Sequence, residues 1–107
     1  MEKYKIEISK DFSDKLGGRW IKLGTFSGEQ FYTEILKDKF LKAKEENEVL
    51  HIYLDGTKGY GSSFLDQSFG QLARDFGVNE VIKGIKFHTD FFKEIPDYIM
   101  NEIWLKK

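Results

Sequence analysis

The most constraining feature of this sequence is the segment Val49 to Leu54, a nearly continuous apolar run (Val-Leu-His-Ile-Tyr-Leu) that breaks off at Asp55-Gly56. Such a run is typical of a central strand that is covered on both faces. A broad apolar face at helical spacing follows the break, on a helix that we expect to begin near Ser62 or Ser63. A strand that passes through a short turn into a helix is the repeating unit of α/β folds.

The rest of the chain repeats this alternation. A strand is predicted at 4–8, a short strand or packed loop around 20–23, and another strand at 81–87. One helix is predicted from Ser27, which can cap it with Gln30 three residues on, and a last helix has Pro96 in its first turn. We therefore predict one α/β domain over residues 1–107, with a small, mixed, partly parallel sheet of about four strands and about three helices.

Composition excludes several classes of function. The net charge of -1 argues against a nucleic-acid partner, and no apolar stretch is long enough to span a membrane. The chain has no cysteine, which is typical of a cytoplasmic protein. His51 and His88 have no Asp or Glu at ligand spacing, so the sequence predicts no metal site and no cofactor.

The segment from Tyr60 to Gly70, Tyr-Gly-Ser-Ser-Phe-Leu-Asp-Gln-Ser-Phe-Gly, is the candidate site and is called the serine turn below. Two adjacent hydroxyls, Ser62 and Ser63, stand where a helix N-terminus offers free N–H groups and the positive end of its dipole. One serine could cap the helix, and a phosphate, bound or covalently attached, would also be stabilised there.

This turn resembles a bacterial STAS-like family of unknown function, whose hallmark is a strand followed by Tyr-x-Ser-Ser-Phe-Leu-Asp-Glu-x-Phe-Gly. Asp11-Phe12-Ser13, Gly17-Gly18-Arg19 and Ser27-Gly28-Glu29 also look like the family. The resemblance spans roughly residues 5 to 77 and implies a STAS-like fold. Gln67 stands where the family usually shows Glu.

The wider STAS group includes anti-sigma factor antagonists, in which a partner ATPase of the histidine-kinase type phosphorylates a serine at this turn. The resemblance thus implies a non-catalytic regulatory domain with Ser62 or Ser63 as phospho-acceptor and a kinase-type ATPase as partner. Tyr60, Asp66 and Gln67 would complete the partner-binding surface. Gly61 and Phe64 replace the Asp and Gly of the antagonists' Asp-Ser-Ser-Gly.

A supporting network is predicted from four further residues, Arg19, Ser27, Glu29 and Asp55. We expect an Arg19–Glu29 pair to hold the glycine-rich loop against the serine turn, with Arg19 either part of a structural ion pair or a receptor for a phosphate or carboxylate. The alternative function is a small-ligand or nucleotide module that binds phosphate at the same turn. A hydrolase triad from a serine, His51 and Asp55 lacks Gly-x-Ser-x-Gly, so no enzyme is predicted.

Overall fold

The computed structural model describes residues 2–106, and its centre is a sheet of three parallel strands in the order β1-β2-β3. The strands are β1 (Tyr4–Glu7), β2 (Leu50–Tyr53) and β3 (Ile85–His88). β2 is the central strand, with Leu50 opposite Tyr4 on one side and Ile85 on the other. The carboxyl ends of all three strands therefore meet at one edge of the sheet.

Five helices accompany the sheet in the described residues. α1 is the single turn Ile8–Asp11, and α4 is Val78–Gly84. The longer helices are α2 (residues 28–45), α3 (62–76) and α5 (94–104). A short 3₁₀ turn, Ile21–Leu23, lies in the loop before α2.

Each of the three long helices contains a π-helical segment. The segments are Tyr32–Leu36 in α2, Asp66–Gly70 in α3 and Ile99–Trp104 in α5. The π segment of α3 contacts the other two, and Trp104 Nε1 donates a hydrogen bond to the Phe69 carbonyl at 3.0 Å. Such segments are rare and are often found at functional sites. The one in α3 lies within the serine turn.

The helices pack on one face of the sheet. Ile6, Leu50, Ile52 and Ile85 on that face are buried. The opposite face, called the open face below, carries polar side chains that are exposed or half-buried: Lys5, Glu7, His51, Tyr53, Lys86 and His88. The prediction that β2 is covered on both faces was wrong, because its alternate side chains His51 and Tyr53 are amphipathic and remain at the surface.

The predicted α/β class is confirmed, and the element counts differ slightly from expectation. The structure has three strands and five helices in the described region rather than about four and three. The segment at 20–23 forms the 3₁₀ turn, and Val78 to Gly84, expected in part as strand, is helical. Val78, Val81 and Ile82 follow helical spacing, and Gly77, with φ of 95°, separates α4 from α3.

A cluster of phenylalanines lies beneath the serine turn. The rings of Phe31 and Phe64 are stacked with centroids 5.7 Å apart, and Phe12 and Phe69 pack against Phe31. Phe31, Phe64 and Phe69 are fully buried. Aromatic pairs of this kind stabilise a core beyond their buried area. The cluster fixes the start of α3 against α2, and so fixes the direction in which the serines point.

Candidate functional site

Helix α3 begins at Ser62, as the sequence predicted, but neither serine caps it. Gly61 occupies the N-cap position with extended backbone (φ -80°, ψ 150°), and no side chain caps the helix within residues 2–106. Ser62 is exposed and Ser63 half-buried, and neither hydroxyl has a hydrogen-bond partner among the described residues. The first N–H groups of a 15-residue helix and two free hydroxyls are thus presented together.

Asp66, one helical turn beyond the serines, binds both arginines of the chain. Arg19 Nη1 lies 2.5 Å from Asp66 Oδ2, and Arg74 Nη1 lies 3.4 Å from Asp66 Oδ1. The prediction that Arg19 pairs with Glu29 was wrong. Glu29 instead accepts the Ile21 N–H at 2.9 Å and so holds the 3₁₀ turn, which leaves Arg19 to reach α3. Arg74, which sequence reasoning did not include, lies on the same helix as Asp66.

The charge state of Asp66 follows from these partners. Partial burial of the carboxyl raises its pKa, whereas the Arg19 hydrogen bond and the Arg74 charge lower it. The arginines prevail, so the pKa of Asp66 lies below its ordinary value. Asp66 is therefore an anion fixed by two cations within one turn of Ser62 and Ser63.

The loop that carries Arg19 is bound along the N-terminus of α2. Gly18 and Arg19 carbonyls accept the Gly28 and Glu29 N–H groups at 2.8 and 3.0 Å. Ser27, fully buried, caps α2 by accepting the Gln30 N–H at 3.0 Å, as predicted. The N-terminus of α2 is thus occupied by protein groups, in contrast to that of α3.

The starts of α2 and α3 touch at Gly28. A Cβ atom on this residue would lie 2.5 Å from the Phe64 carbonyl oxygen and 3.2 Å from Cβ of Gln67. Gln67 is buried at this contact, and its amide lies 3.4 Å from Gln71 Oε1. Gln67 is therefore part of the helix contact rather than of an exposed binding surface.

Tyr60 and Asp55 anchor the two ends of the segment that leads into α3. The Tyr60 hydroxyl donates to the Leu54 carbonyl at 2.6 Å, and burial raises the pKa of this phenol. Asp55 accepts from Thr89 Oγ1 at 2.5 Å and from the Asp90 N–H at 2.8 Å, and these hydrogen bonds hold its pKa below the ordinary value. Asp55 thus binds the loop after β3 and does not contact Arg19.

The residues of the hydrolase triad are not brought together. His51 lies on the open face, where its Nδ1 is 2.8 Å from His88 Nε2. Asp55 binds the loop after β3, and the serines begin α3. The two histidines are in direct contact, which was not predicted from the sequence.

An exposed apolar patch adjoins Arg19. Its members are more than a third exposed: Trp20 39%, Ile21 49%, Leu23 71% and Phe26 36%. Contiguous exposed apolar groups with a polar rim often mark protein-interaction sites. The patch belongs to the loop that the Arg19–Asp66 pair ties to the serine turn.

A comparison with known protein families matches residues 27–89 to the STAS-like domain of unknown function (DUF4325). The chain belongs to this family. The matched residues of the STAS-like domain include α2, β2, the whole serine turn and β3. No curated protein and no solved structure matches the chain. Among the helices of residues 2–106, none combines the length and apolar character needed to cross a bilayer.

Proposed function

We propose that this STAS-like domain is a regulatory protein-interaction module, and that phosphorylation of the serine turn by a kinase-type ATPase switches its binding surface. Family membership supports a regulatory or interaction role. One observation carries the finer proposal: two unbonded serine hydroxyls stand at the uncapped N-terminus of α3, one turn from the carboxylate that holds Arg19.

Ser62 is the better acceptor of the two, because it is exposed whereas Ser63 is half-buried. A phosphate adds about -1.5 to -2 charges, which the free N–H groups and the dipole of α3 would stabilise. The same phosphate would repel Asp66, which lies four residues on and hence on the same helix face.

This repulsion connects the serine to the loop. Arg19 is half-buried and pairs with Asp66, so a phosphate one turn away would compete for its guanidinium. Arg19 immediately precedes Trp20, the first residue of the apolar patch. If Arg19 exchanged Asp66 for the phosphate, the apolar patch would move or reorder. The unmodified domain would bind its ATPase partner through this patch.

The proposal is tested with the purified chain, ATP and histidine-kinase-type ATPases encoded in the same genome. We expect intact-mass analysis to show one phosphate per chain, lost in Ser62→Ala and retained in Ser63→Ala. Binding of the ATPase, measured by calorimetry, should be weakened by Ser62→Glu and unaffected by Ser62→Gln.

Arg19→Lys separates the receptor role from a purely structural one. Lysine keeps the charge but cannot present the forked guanidinium. Loss of partner binding with an unchanged melting temperature would support the receptor role. If neither phosphate transfer nor any effect of Ser62→Glu on binding is found with these ATPases, the proposal fails.

A second candidate is a module that binds a phosphorylated small ligand at the same place. The free N–H groups of α3 and the unbonded hydroxyls favour it, since the N-terminus of α2 is already occupied. A thermal-shift screen of nucleotides and sugar phosphates tests this candidate. A stabilising ligand should lose its effect in Ser62→Glu, and a flat screen would eliminate the candidate.

A further inference from the structure

The open face of the sheet brings together a glutamate and both histidines of the chain. The ligand atoms Glu2 Oε2, His51 Nδ1 and His88 Nε2 all lie within 4.8 Å of one another. The histidine nitrogens are 2.8 Å apart, and Glu2 Oε2 is 3.7 Å from each of them. We propose that these three side chains form a binding site for a divalent transition-metal ion of the Zn²⁺ type.

The spacing of the three atoms fits such an ion. The point equidistant from them lies about 2.0 Å from each, which agrees with the bond lengths of zinc to imidazole nitrogen and carboxylate oxygen. Two histidines and one carboxylate are also a ligand set that zinc uses when a fourth position is left to water. The side chains remain 18 to 32% exposed, so water can reach that fourth position.

A metal ion would take the place of the hydrogen atom that lies between the two histidine nitrogens. At 2.8 Å one of the two facing nitrogens carries a hydrogen that the other accepts. When both nitrogens bind a cation, that proton moves to the other nitrogen of the same ring, and no proton need leave the site. Separation of the two nitrogens to about 3.3 Å, the spacing of adjacent ligands in a tetrahedral zinc site, requires only small rotations.

The surroundings already orient the ligands. The Tyr53 hydroxyl donates to the Glu2 carboxylate at 2.5 and 2.6 Å. The Tyr53 ring stacks on His88 with centroids 4.5 Å apart and an interplanar angle of 11°. Outer-shell groups of this kind hydrogen-bond the ligands of a metal ion and fix their orientation.

The three ligands of the proposed site come from three different segments of the chain. His51 is on β2 and His88 ends β3, whereas Glu2 precedes β1, so its carboxylate reaches them from the segment before the sheet. An open concavity beside the cluster is lined by Tyr53, Asp55, Phe87, His88, Thr89 and Asp90. A bound ion would join the N-terminal segment to two strands beside this concavity.

The test uses the tag-free chain after removal of metals with EDTA. Co²⁺ titration followed by visible absorption, and Zn²⁺ titration by calorimetry, should each show one ion per chain. His51→Ala, His88→Ala and Glu2→Gln should each raise the dissociation constant at least about tenfold. Glu7→Gln removes a carboxylate from the same face, outside the cluster, and should leave binding unchanged.

The proposal would be overturned by the absence of saturable binding of Zn²⁺, Co²⁺ or Ni²⁺, or by binding that survives the double substitution of both histidines. Should a variant fail to fold, the wild-type chain still decides. Zn²⁺ should then shift the ring ¹⁵N resonances of His51 and His88 and raise the melting temperature. Unchanged histidine resonances at saturating Zn²⁺ would reject the site.

Discussion

Arg19 and Asp66 lie 47 residues apart in the sequence, yet Arg19 Nη1 is 2.5 Å from Asp66 Oδ2. This contact ties the loop before α2 to the first turns of α3. Arg74 binds the same carboxylate from the next turns of α3. A single carboxylate thus connects the apolar patch to the two serines, and its removal should affect the loop more than the core.

Asp66→Ala should loosen the loop at 17–26 with little change in overall stability. The pair is about one-third exposed, so its loss should cost at most about 1 kcal/mol. Hydrogen exchange at the amides of Gly17, Gly28 and Glu29, which bond within this loop region, should accelerate by roughly fivefold. The control is Asp38→Ala, which removes the Lys42 pair on α2. Equal exchange in the two variants would contradict the role of Asp66.

Gly28→Ala should destabilise the protein. Because the added Cβ would lie 2.5 Å from the Phe64 carbonyl, α2 and α3 must separate, at a cost of about 1–3 kcal/mol in the free energy of unfolding. Gly18→Ala is a matched control, since nothing lies within 4 Å of its added Cβ and its effect should stay within about 0.5 kcal/mol. Urea denaturation of both variants measures the difference, and similar midpoints would refute the close contact.

Asp55 should contribute to the pH dependence of stability. Its pKa is held below 3.8 by the Thr89 hydroxyl and backbone N–H groups, so its contribution is fully present above the ordinary pKa and is lost as pH falls through the lower, folded-state pKa. Asp55→Asn should lower stability at neutral pH by roughly 1 kcal/mol and flatten the acid side of the profile. Urea midpoints measured from about pH 6 to about pH 3 test this. A profile parallel to that of the wild type would be the contrary result.

Ser62→Glu should reveal the repulsion on which the proposed switch depends. A negative charge in the first turn of α3 should stabilise the helix by about 0.3–1 kcal/mol, and Asp66 at i+4 should cancel about 0.2–0.5 kcal/mol of this. The substitution should therefore stabilise the Asp66→Asn background more than the wild type. Ser62→Gln, which lacks the charge, should have equal effects in both backgrounds. The melting temperatures of the wild type, Ser62→Glu, Asp66→Asn and the double variant form a double-mutant cycle. Additive effects of the two substitutions would argue against coupling between the two sites.

Local patterns predicted the fold well, because each depends on residues close in the chain. The cap at Ser27 and the start of α3 at Ser62 follow from turn and helix chemistry. The error at β2 arose because tyrosine and histidine count as apolar in a run. In the structure, hydrogen bonds from Tyr53 to Glu2 and between His51 and His88 satisfy their polar groups without burial.

The partners of charged side chains were less predictable, because they depend on how elements pack. Arg19 lies ten residues before Glu29, but the Ile21 amide takes that carboxylate and only the contact of α2 with α3 brings Asp66 within reach. The His51–His88 contact likewise arises from the parallel pairing of β2 with β3. One signal was available in the sequence. The chain has only two arginines, which favours the hypothesis that a single carboxylate binds both of them.

The one-sided packing of the sheet has a consequence for how this domain tolerates change. Along each strand, every second side chain faces the helices and is buried or half-buried, and the side chains between them meet solvent or the Glu2 cluster. In saturation mutagenesis of β1 and β3, the tolerance to substitution should therefore alternate with period two. Ile6 and Ile85 should tolerate few substitutions, and Lys5 and Lys86 should tolerate most. Additional secondary structure could pack on the open face without repacking the existing core. The domain could therefore acquire new segments there without any change in the structure of the serine turn.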